Sequence, residues 1–267
     1  MKSKEALELV DAGIKTLTDE LAKGKSDNLK RFLSVAANFH NYSLNNWCLI
    51  FSQKPEATRV AGYKTWQKMG RQVQAGSKGI KILAPRRGKR KDAEGNPTDK
   101  EFLYFSTATV FDVSDTEGED LPSVFRVEGD PGEHLPALEA LADELGIEVS
   151  DKEHLGGAKG LSYGGRIEML AGLPAAERFT TLAHELGHEL LHKQSDRETL
   201  SKAQKETEAE AVAFVVGQAI GIDSLGQTAD YVQLWKGDAE LFAACLGRVQ
   251  KCAKQIIEGI KKAPVMV

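Results

Sequence analysis

The sequence predicts an α+β fold, with an amino-terminal α+β module followed by a second domain built around one amphipathic helix and a small sheet. Three observations support this class. Apolar residues recur at helical spacing over the first 52 residues. Strand-like runs follow at 79–85 and 101–111. Helical periodicity returns in the second half of the chain.

The first module contains three predicted helices within residues 1–52, the third of which begins after Ser43. A short helical turn is expected at 62–70, because a glycine stands at each end. The two strands that follow are joined by residues 86–100, whose polar composition and Gly-Asn-Pro sequence predict a hairpin loop.

An acidic segment rich in proline and glycine indicates a boundary, and divides the chain into domains at 1–120 and 136–267 with a linker at 121–135. In the second domain we expect a helix near 137–145, a strand at 147–149 and an edge strand at 166–170. A long helix near 238–261 is expected to pack on the domain core.

Composition restricts the class of protein. The 267 residues carry 35 basic and 39 acidic side chains, and 41% of them are hydrophobic, which is typical of a soluble globular chain. Since the amino terminus lacks a secretory hydrophobic region and no membrane span is evident, we expect a cytoplasmic protein. The three cysteines lie in apolar helical stripes, which predicts buried, reduced thiols.

The motif HELGH at residues 184–188 is the strongest chemical signal in the chain. On a helix, His184 and His188 lie on one face about 6 Å apart along the axis, so both imidazoles can reach one metal ion. The neighbouring carboxylate of Glu185 is then placed to act as a general base. The spacing therefore predicts a zinc site with hydrolytic chemistry, containing one Zn²⁺ per chain.

A catalytic zinc site of this kind needs a third protein ligand, and the sequence offers Glu206. Glu206 and Glu210 share one face of a predicted helix, whereas Glu208 points away from both. We therefore expect Glu206 to bind the metal. Glu210, one turn later, is expected to accept a hydrogen bond from a ligating histidine.

Alternatives to this site remain. His192 continues the histidine face, but a straight helix carries it away from the metal, so it is expected on the solvated surface. The whole motif is also compatible with an ordinary amphipathic helix. A metal-dependent nuclease is disfavoured, because Mg²⁺ prefers oxygen ligands to paired histidines.

Residues 57–91 contain many basic side chains but no Asp or Glu. Cations interleaved with aromatic rings are typical of single-stranded nucleic-acid binding, where phosphates meet the cations and bases stack on the rings. A solvated basic surface is the alternative. The predicted DNA-binding residues are Tyr63, Lys64, Trp66, Lys68, Arg71, Lys78, Lys81, Arg86 and Arg87.

Three segments, YSLNNW at 42–47, GYKTW at 62–66 and GSKGIKI at 76–82, resemble the single-stranded-DNA-binding domain of ArdC-type antirestriction proteins. The second half of the chain resembles the zincin-like metallopeptidase domain that accompanies it. The resemblance implies a mobile-element protein that binds single-stranded DNA, with the metal on His184, His188 and Glu206. Tyr231 is a candidate for stabilising the oxyanion, although a tyrosine packed at a helix start is an equal alternative.

Two hypotheses follow. In the first, the protein is a zinc metallopeptidase that hydrolyses an unknown protein partner and is brought to its place of work by binding single-stranded DNA. In the second, it is a DNA-masking antirestriction protein whose metal site is structural or vestigial.

Overall fold

In this computed structural model the described residues form helices and three small sheets, and the predicted α+β class is confirmed. The structure describes residues 1–23, 25, 27–91, 97–119, 130–192, 200–222 and 239–262, with side chains described for all of these except 90, 91 and 97–100. The helices are α1 (Ser3–Ala22), α2 (Asp27–Asn38), α3 (Leu44–Gln53), α4 (Tyr63–Lys68), α5 (His134–Glu144), α6 (Ala175–Leu191), α7 (Lys202–Ile220) and α8 (Ala239–Lys262). The strands are β1 (Val60–Ala61), β2 (Arg71–Val73), β3 (Ile80–Lys91), β4 (Pro97–Asp112), β5 (Thr116–Gly118), β6 (Glu148–Lys152), β7 (Gly160–Ser162) and β8 (Arg166–Leu170).

The chain separates into two compact units. The first comprises Met1–Lys15 and Asn45–Leu121, and the second comprises Thr16–Leu44 and Pro122–Val267. Residues 16–44 thus belong with the second unit, whereas the linear division predicted from the sequence places them in the first domain. The reason is hydrophobic: Leu29 and Leu33 of α2 are buried beside Phe242 of α8. Most of the predicted linker lies outside the described residues.

In the first unit, β1, β4 and β3 form an antiparallel sheet in that order, while β2 pairs with β5. The predicted hairpin of β3 and β4 is present, but its strands are longer than expected. Pairing continues through Arg86↔Tyr104 to Lys91↔Pro97, so much of the predicted loop at 86–100 is strand. Aromatic side chains on β4 favour this extended pairing.

Side chains of α3 cover the outer edge of β3. The Asn46 amide exchanges two hydrogen bonds with the backbone of Leu83, at 2.9 and 2.8 Å. Two turns later, Gln53 does the same with the backbone of Lys81, at 2.9 Å for both bonds. These two amides take the place of a neighbouring strand for Leu83 and Lys81, so the backbone groups of these two residues are paired.

In the second unit the strand order is β6–β8–β7. The segment 166–170, predicted as an edge strand, is instead the central strand of this sheet, parallel to β6 and antiparallel to β7. Its Ile167 and Met169 are fully buried, which explains the central position. Among the described strands, β7 is the one that forms the sheet edge beside α6.

The core of the second unit lies between α6, α7 and α8. The predicted apolar stripe of α6 is confirmed, since Phe179, Leu182 and Leu186 are fully buried. Helix α7 ends at Ile220, just before Gly221. All three cysteines are buried and unpaired with one another, as predicted. None of the described helices has both the length and the apolar character needed to cross a membrane.

Candidate metal centre and nucleic-acid surface

Helices α6 and α7 bring the three predicted metal ligands together. The Nε2 atoms of His184 and His188 lie 3.0 Å apart. Oε2 of Glu206 lies 3.5 Å from the first and 3.6 Å from the second. These three donor atoms all fall within 4.8 Å of one another. Two imidazole nitrogens and a carboxylate oxygen at this spacing fit a single divalent metal ion.

The other ring nitrogen of His184 faces the second predicted carboxylate. Its Nδ1 lies 3.2 Å from Oε2 of Glu210. Burial works against the charged form of His184, but hydrogen bonds to Glu206 and Glu210 outweigh it and raise the pKa to about 9. The raised pKa favours the protonated form of His184 when no metal is bound, and Nε2 would have to lose its proton before it could bind a metal ion.

Glu185 lies buried on the wall of the same site. The backbone N–H of Ser162 on β7 donates to its carboxylate. Burial raises the pKa of Glu185 to about 7, and nearby Glu206 adds to that effect. Gly160 leaves the space that this side chain occupies, because a Cβ there would lie 2.8 Å from Cγ of Glu185. A carboxyl group of this kind can both accept and return a proton near neutral pH.

His192 was expected at the solvated surface, and this prediction is wrong. The side chain is buried, with Nδ1 3.0 Å from Nδ1 of His188 and Nε2 3.0 Å from Oε2 of Glu208. Glu208 also accepts from Arg248 and Cys245 of α8. Burial alone would raise the pKa of Glu208, but these donors hold it below its usual value. The sequence could not show that α7 and α8 cover this end of α6.

Glu189 is a polar residue of the site region that the sequence analysis missed. It is buried on α6 and accepts hydrogen bonds from Ser162 Oγ at 2.6 Å and from the backbone N–H groups of Gly164 and Gly165 at 2.7 and 2.6 Å. These bonds tie the turn between β7 and β8 to α6, the helix that carries His184 and His188. A carboxylate directly after the HELGH motif was the available signal.

A cleft of about 660 Å³ opens over the metal ligands. One wall is β7 with the residues before it, and another is the first turns of α7, where Lys202 and Lys205 lie. A cleft of this size can hold several residues of an extended peptide beside the edge of β7. Tyr231, the candidate for stabilising the oxyanion, lies outside the described residues.

The predicted DNA-binding cations differ in exposure. Arg71 is engaged within the protein, where its guanidinium donates to the side chain and carbonyl of Thr116. Lys81 is half-buried and bonds to Thr109. The remaining predicted cations are exposed: Lys64, Lys68, Lys78, Arg86 and Arg87.

The predicted stacking platform at Trp66 is wrong. Its ring is 0% exposed, and its Nε1–H donates to the carbonyl of Phe111 at 2.9 Å. A base cannot stack on a ring that forms part of the core. Tyr63, by contrast, is exposed, with its hydroxyl accepting from Gln72.

Strand β4 carries exposed aromatic rings that the sequence analysis did not single out. Phe102 and Tyr104 lie on one face, with ring centroids 5.7 Å apart, and Arg86 is the cross-strand partner of Tyr104. On the opposite face, Leu103 and Phe105 are 62% and 58% exposed. The available signal was the run FLYF at 102–105, in which neither face of the strand is polar. We call the part of the hairpin formed by 86–89 and 101–105 the aromatic hairpin.

Comparison with known proteins agrees with the resemblance seen in the sequence. Residues 4–111 match the family model of the N-terminal domain of anti-restriction factor ArdC. An uncharacterized protein of Bacillus anthracis is 26% identical over 97% of this chain and 52% of its own length, so the chain spans about half the length of this curated relative.

Two crystal structures of the antirestriction protein ArdC from the R388 plasmid share the fold. The metal-free form has a TM-score of 0.56 and 21% identity, covering 95% of this chain and 98% of its own. The Mn(II)-bound form has a TM-score of 0.55 and 20% identity, covering 96% and 99%. Residues 4–111 of the chain therefore match the N-terminal domain of the ArdC family, and nearly the whole chain shares the fold of the R388 protein.

Proposed function

We propose that this protein is a zinc-dependent peptidase that also binds single-stranded DNA, and that both activities serve antirestriction. The observation that carries the peptidase proposal is the meeting of His184, His188 and Glu206 next to the buried Glu185. The Mn(II)-bound form of the R388 protein supports a divalent ion in this fold. Zinc is our choice because two histidines and one carboxylate are its usual catalytic ligands.

In this proposal His184, His188 and Glu206 would hold the ion, and a bound ion would supply Lewis-acid polarisation of a peptide carbonyl. Glu185 takes the proton from the attacking water and returns it to the leaving nitrogen. The edge of β7 aligns an extended peptide along the cleft, as exposed strand edges can do by adding a strand. Glu210 keeps His184 oriented by accepting from its Nδ1.

The test of the peptidase is Glu185→Gln. The purified protein and this variant are loaded with zinc and incubated with a broad peptide library, and the new termini are identified by mass spectrometry. We expect the parent to cut and the variant to lose cleavage while keeping its zinc, because the amide cannot accept the proton. Glu117→Gln, an exposed glutamate of β5, is the matched control. Cleavage by Glu185→Gln at the parental rate would contradict the mechanism.

The DNA-binding proposal is supported by the aromatic hairpin and by the match of residues 4–111 to the ArdC N-terminal domain. Exposed Arg86, the cross-strand partner of Tyr104, is placed to meet a phosphate on the face where Phe102 and Tyr104 offer rings for bases. Removing an aromatic side chain on which a base stacks typically costs about 1–3 kcal/mol of binding free energy.

The test is fluorescence anisotropy with single- and double-stranded oligonucleotides. Binding to the single strand should weaken with salt, with a logarithmic slope of about −0.7 per phosphate contacted. Tyr104→Ala should weaken binding at every salt concentration, Arg86→Gln should reduce the slope, and Lys254→Gln on α8 should change neither. A flat salt response would show that the basic stretch is only a solvated surface.

The DNA-masking alternative is decided by a protection assay. DNA coated with the parent or with Glu185→Gln is exposed to a restriction endonuclease. Equal protection by the two proteins would favour masking, whereas loss of protection in the variant would link antirestriction to peptide hydrolysis.

A further inference from the structure

The two imidazoles of the metal site are held by different partners. His184 directs Nδ1 to Glu210, whose side chain is 31% exposed. His188 directs Nδ1 to His192, and the next bond runs from His192 to Glu208, with these two side chains 1% and 2% exposed. His188 is therefore supported by a buried chain of side chains, whereas water can reach the partner of His184.

In the series of side chains from His188 through His192 to Glu208, the hydrogen bonds can point in one direction only. A histidine that binds metal through Nε2 needs a lone pair there, so its proton is on Nδ1. Nδ1–H of His188 then donates to Nδ1 of His192, 3.0 Å away, which must carry the lone pair. The proton of His192 is consequently on Nε2, which donates to the Glu208 carboxylate at 3.0 Å. A carboxylate can only accept, so it fixes both tautomers.

The far end of the chain is anchored on a third helix. Arg248 of α8 donates from Nε to Oε1 of Glu208 at 3.0 Å and from Nη2 to Oε2. This two-point contact holds the carboxylate plane, and Cys245 one turn earlier also donates to it. Since Glu208 lies two residues after Glu206 on α7, its anchoring constrains the helix that carries the third ligand as well.

We propose that His192 is a positioning residue that fixes the tautomer and ring orientation of His188 for metal binding, with Glu208 and Arg248 as its anchors. The inference rests on the proposed metal site. It makes α8 part of the metal centre although this helix supplies no ligand among the described residues. Partners of this kind typically change metal affinity about 10–100-fold when removed.

The experiment measures zinc affinity by competition with a chromogenic chelator, on the full chain, for the parent and three variants of one position. His192→Phe keeps a ring but removes the acceptor. His192→Asn places an amide oxygen near the position of Nδ1, so the acceptor for Nδ1–H of His188 is kept. His192→Gln places its amide nearer to Nε2, so it keeps the contact with Glu208 and loses the acceptor for His188.

We expect zinc binding to weaken about 10–100-fold in His192→Phe, to weaken similarly in His192→Gln, and to recover most of the loss in His192→Asn. Unfolding of each variant in excess chelator, followed by circular dichroism, separates an effect on folding from an effect on the site. If His192→Phe does not fold, the zinc affinities of His192→Asn and His192→Gln are compared instead, and this comparison decides whether the acceptor at the Nδ1 position matters. In the zinc-loaded parent, nitrogen-resolved NMR of the rings should show the proton of His192 on Nε2.

Parental affinity in His192→Phe, or equal loss in His192→Asn and His192→Gln, would overturn the inference. A parent that binds no zinc would instead remove the proposed metal site itself, so the two failures are distinguishable. Arg248→Lys provides a second measurement. It keeps the charge but loses the two-point contact, and it should weaken zinc binding less than His192→Phe does.

Discussion

Two buried carboxylates of this protein, those of Glu189 and Glu208, each accept hydrogen bonds from several donors. Glu189 accepts three hydrogen bonds from the β7–β8 turn, and Glu208 accepts from His192, Arg248 and Cys245. A buried charge without such partners would cost several kcal/mol, so these residues depend on the groups around them. Single substitutions among the partners should consequently have effects beyond the loss of one contact.

Asp112, in the first unit, gives a pH prediction. The buried carboxylate accepts from the backbone N–H groups of Thr58, Arg59 and Ser114 at 2.8, 3.0 and 3.0 Å. Burial would raise its pKa, but these donors outweigh burial and hold the pKa below the ordinary 3.8. Because the folded pKa is lowered, the stabilisation is complete above the ordinary value and is lost as pH falls through the folded value.

We therefore expect Asp112→Asn to lower the free energy of unfolding by about 1–3 kcal/mol at pH 7, since hydrogen bonds to a charged acceptor are replaced. The difference between variant and parent should shrink as pH falls below 4. Urea unfolding followed by tryptophan fluorescence at several pH values measures this. A difference that stays constant down to pH 3 would contradict the assignment.

Between elements, the close approach of α6 and α7 sets the geometry of the candidate metal site. Gly187 on α6 faces Ala209 on α7, and a Cβ at 187 would lie 3.1 Å from Cα of Ala209. Any side chain there has to push the backbone of α7 away. Since Glu206 is carried on α7, this spacing controls its distance from the two histidines.

Gly187→Ala should weaken zinc binding while changing stability little. Alanine gains about 0.5–1 kcal/mol in helix propensity, and overpacking costs about 1–3 kcal/mol, so a small net destabilisation is expected. Chelator competition and thermal unfolding measure the two effects. Gly247→Ala is the matched control, because the nearest atom to its Cβ is 4.0 Å away, and it should stabilise the protein without changing zinc affinity.

The edge of β3 gives a second prediction for the elements. Asn46→Leu removes both hydrogen bonds to the buried Leu83 backbone, and each orphaned group costs about 1–3 kcal/mol. Gln53→Leu removes the equivalent bonds to Lys81 at an exposed position, where water can replace them, and should cost less. Urea unfolding of both variants ranks them. Equal destabilisation would show that burial does not set the cost.

At the scale of the whole molecule, the three candidate metal ligands all lie in the second compact unit, and the aromatic hairpin lies in the first. The proposed chemistry and the proposed DNA surface therefore belong to different units. The sequence agrees with this separation, since the basic stretch at 57–91 precedes the HELGH motif at 184–188.

Zinc binding should therefore slow backbone hydrogen exchange in the second unit more than in the first. Free zinc at 100 times its dissociation constant adds about 2.7 kcal/mol to the stability of whatever binds it. Hydrogen exchange followed by mass spectrometry should show slower exchange in α6 and α7 on adding zinc, and unchanged exchange in β3 and β4. His184→Ala should abolish the difference. Equal protection of the hairpin would mean that the metal stabilises both units together.

The sequence by itself determined the helices, the hairpin and the set of side chains that could hold a metal, because periodicity and the spacing of HELGH are local properties of the chain. The meeting of His184 and His188 requires only one helix. Exposed cations such as Lys64 and Arg86 were also predictable, since charge keeps them in water.

Only the tertiary structure decided which face of an element is covered. The burial of His192 and Trp66, the central position of β8 and the exposure of the rings at Phe102 and Tyr104 all depend on what packs against them. A sequence specifies how polar or apolar each side chain is, but its pairing partner lies on another helix or strand. For that reason the candidate metal-binding residues could be chosen from the sequence, whereas the buried series of side chains from His188 to Arg248 could not.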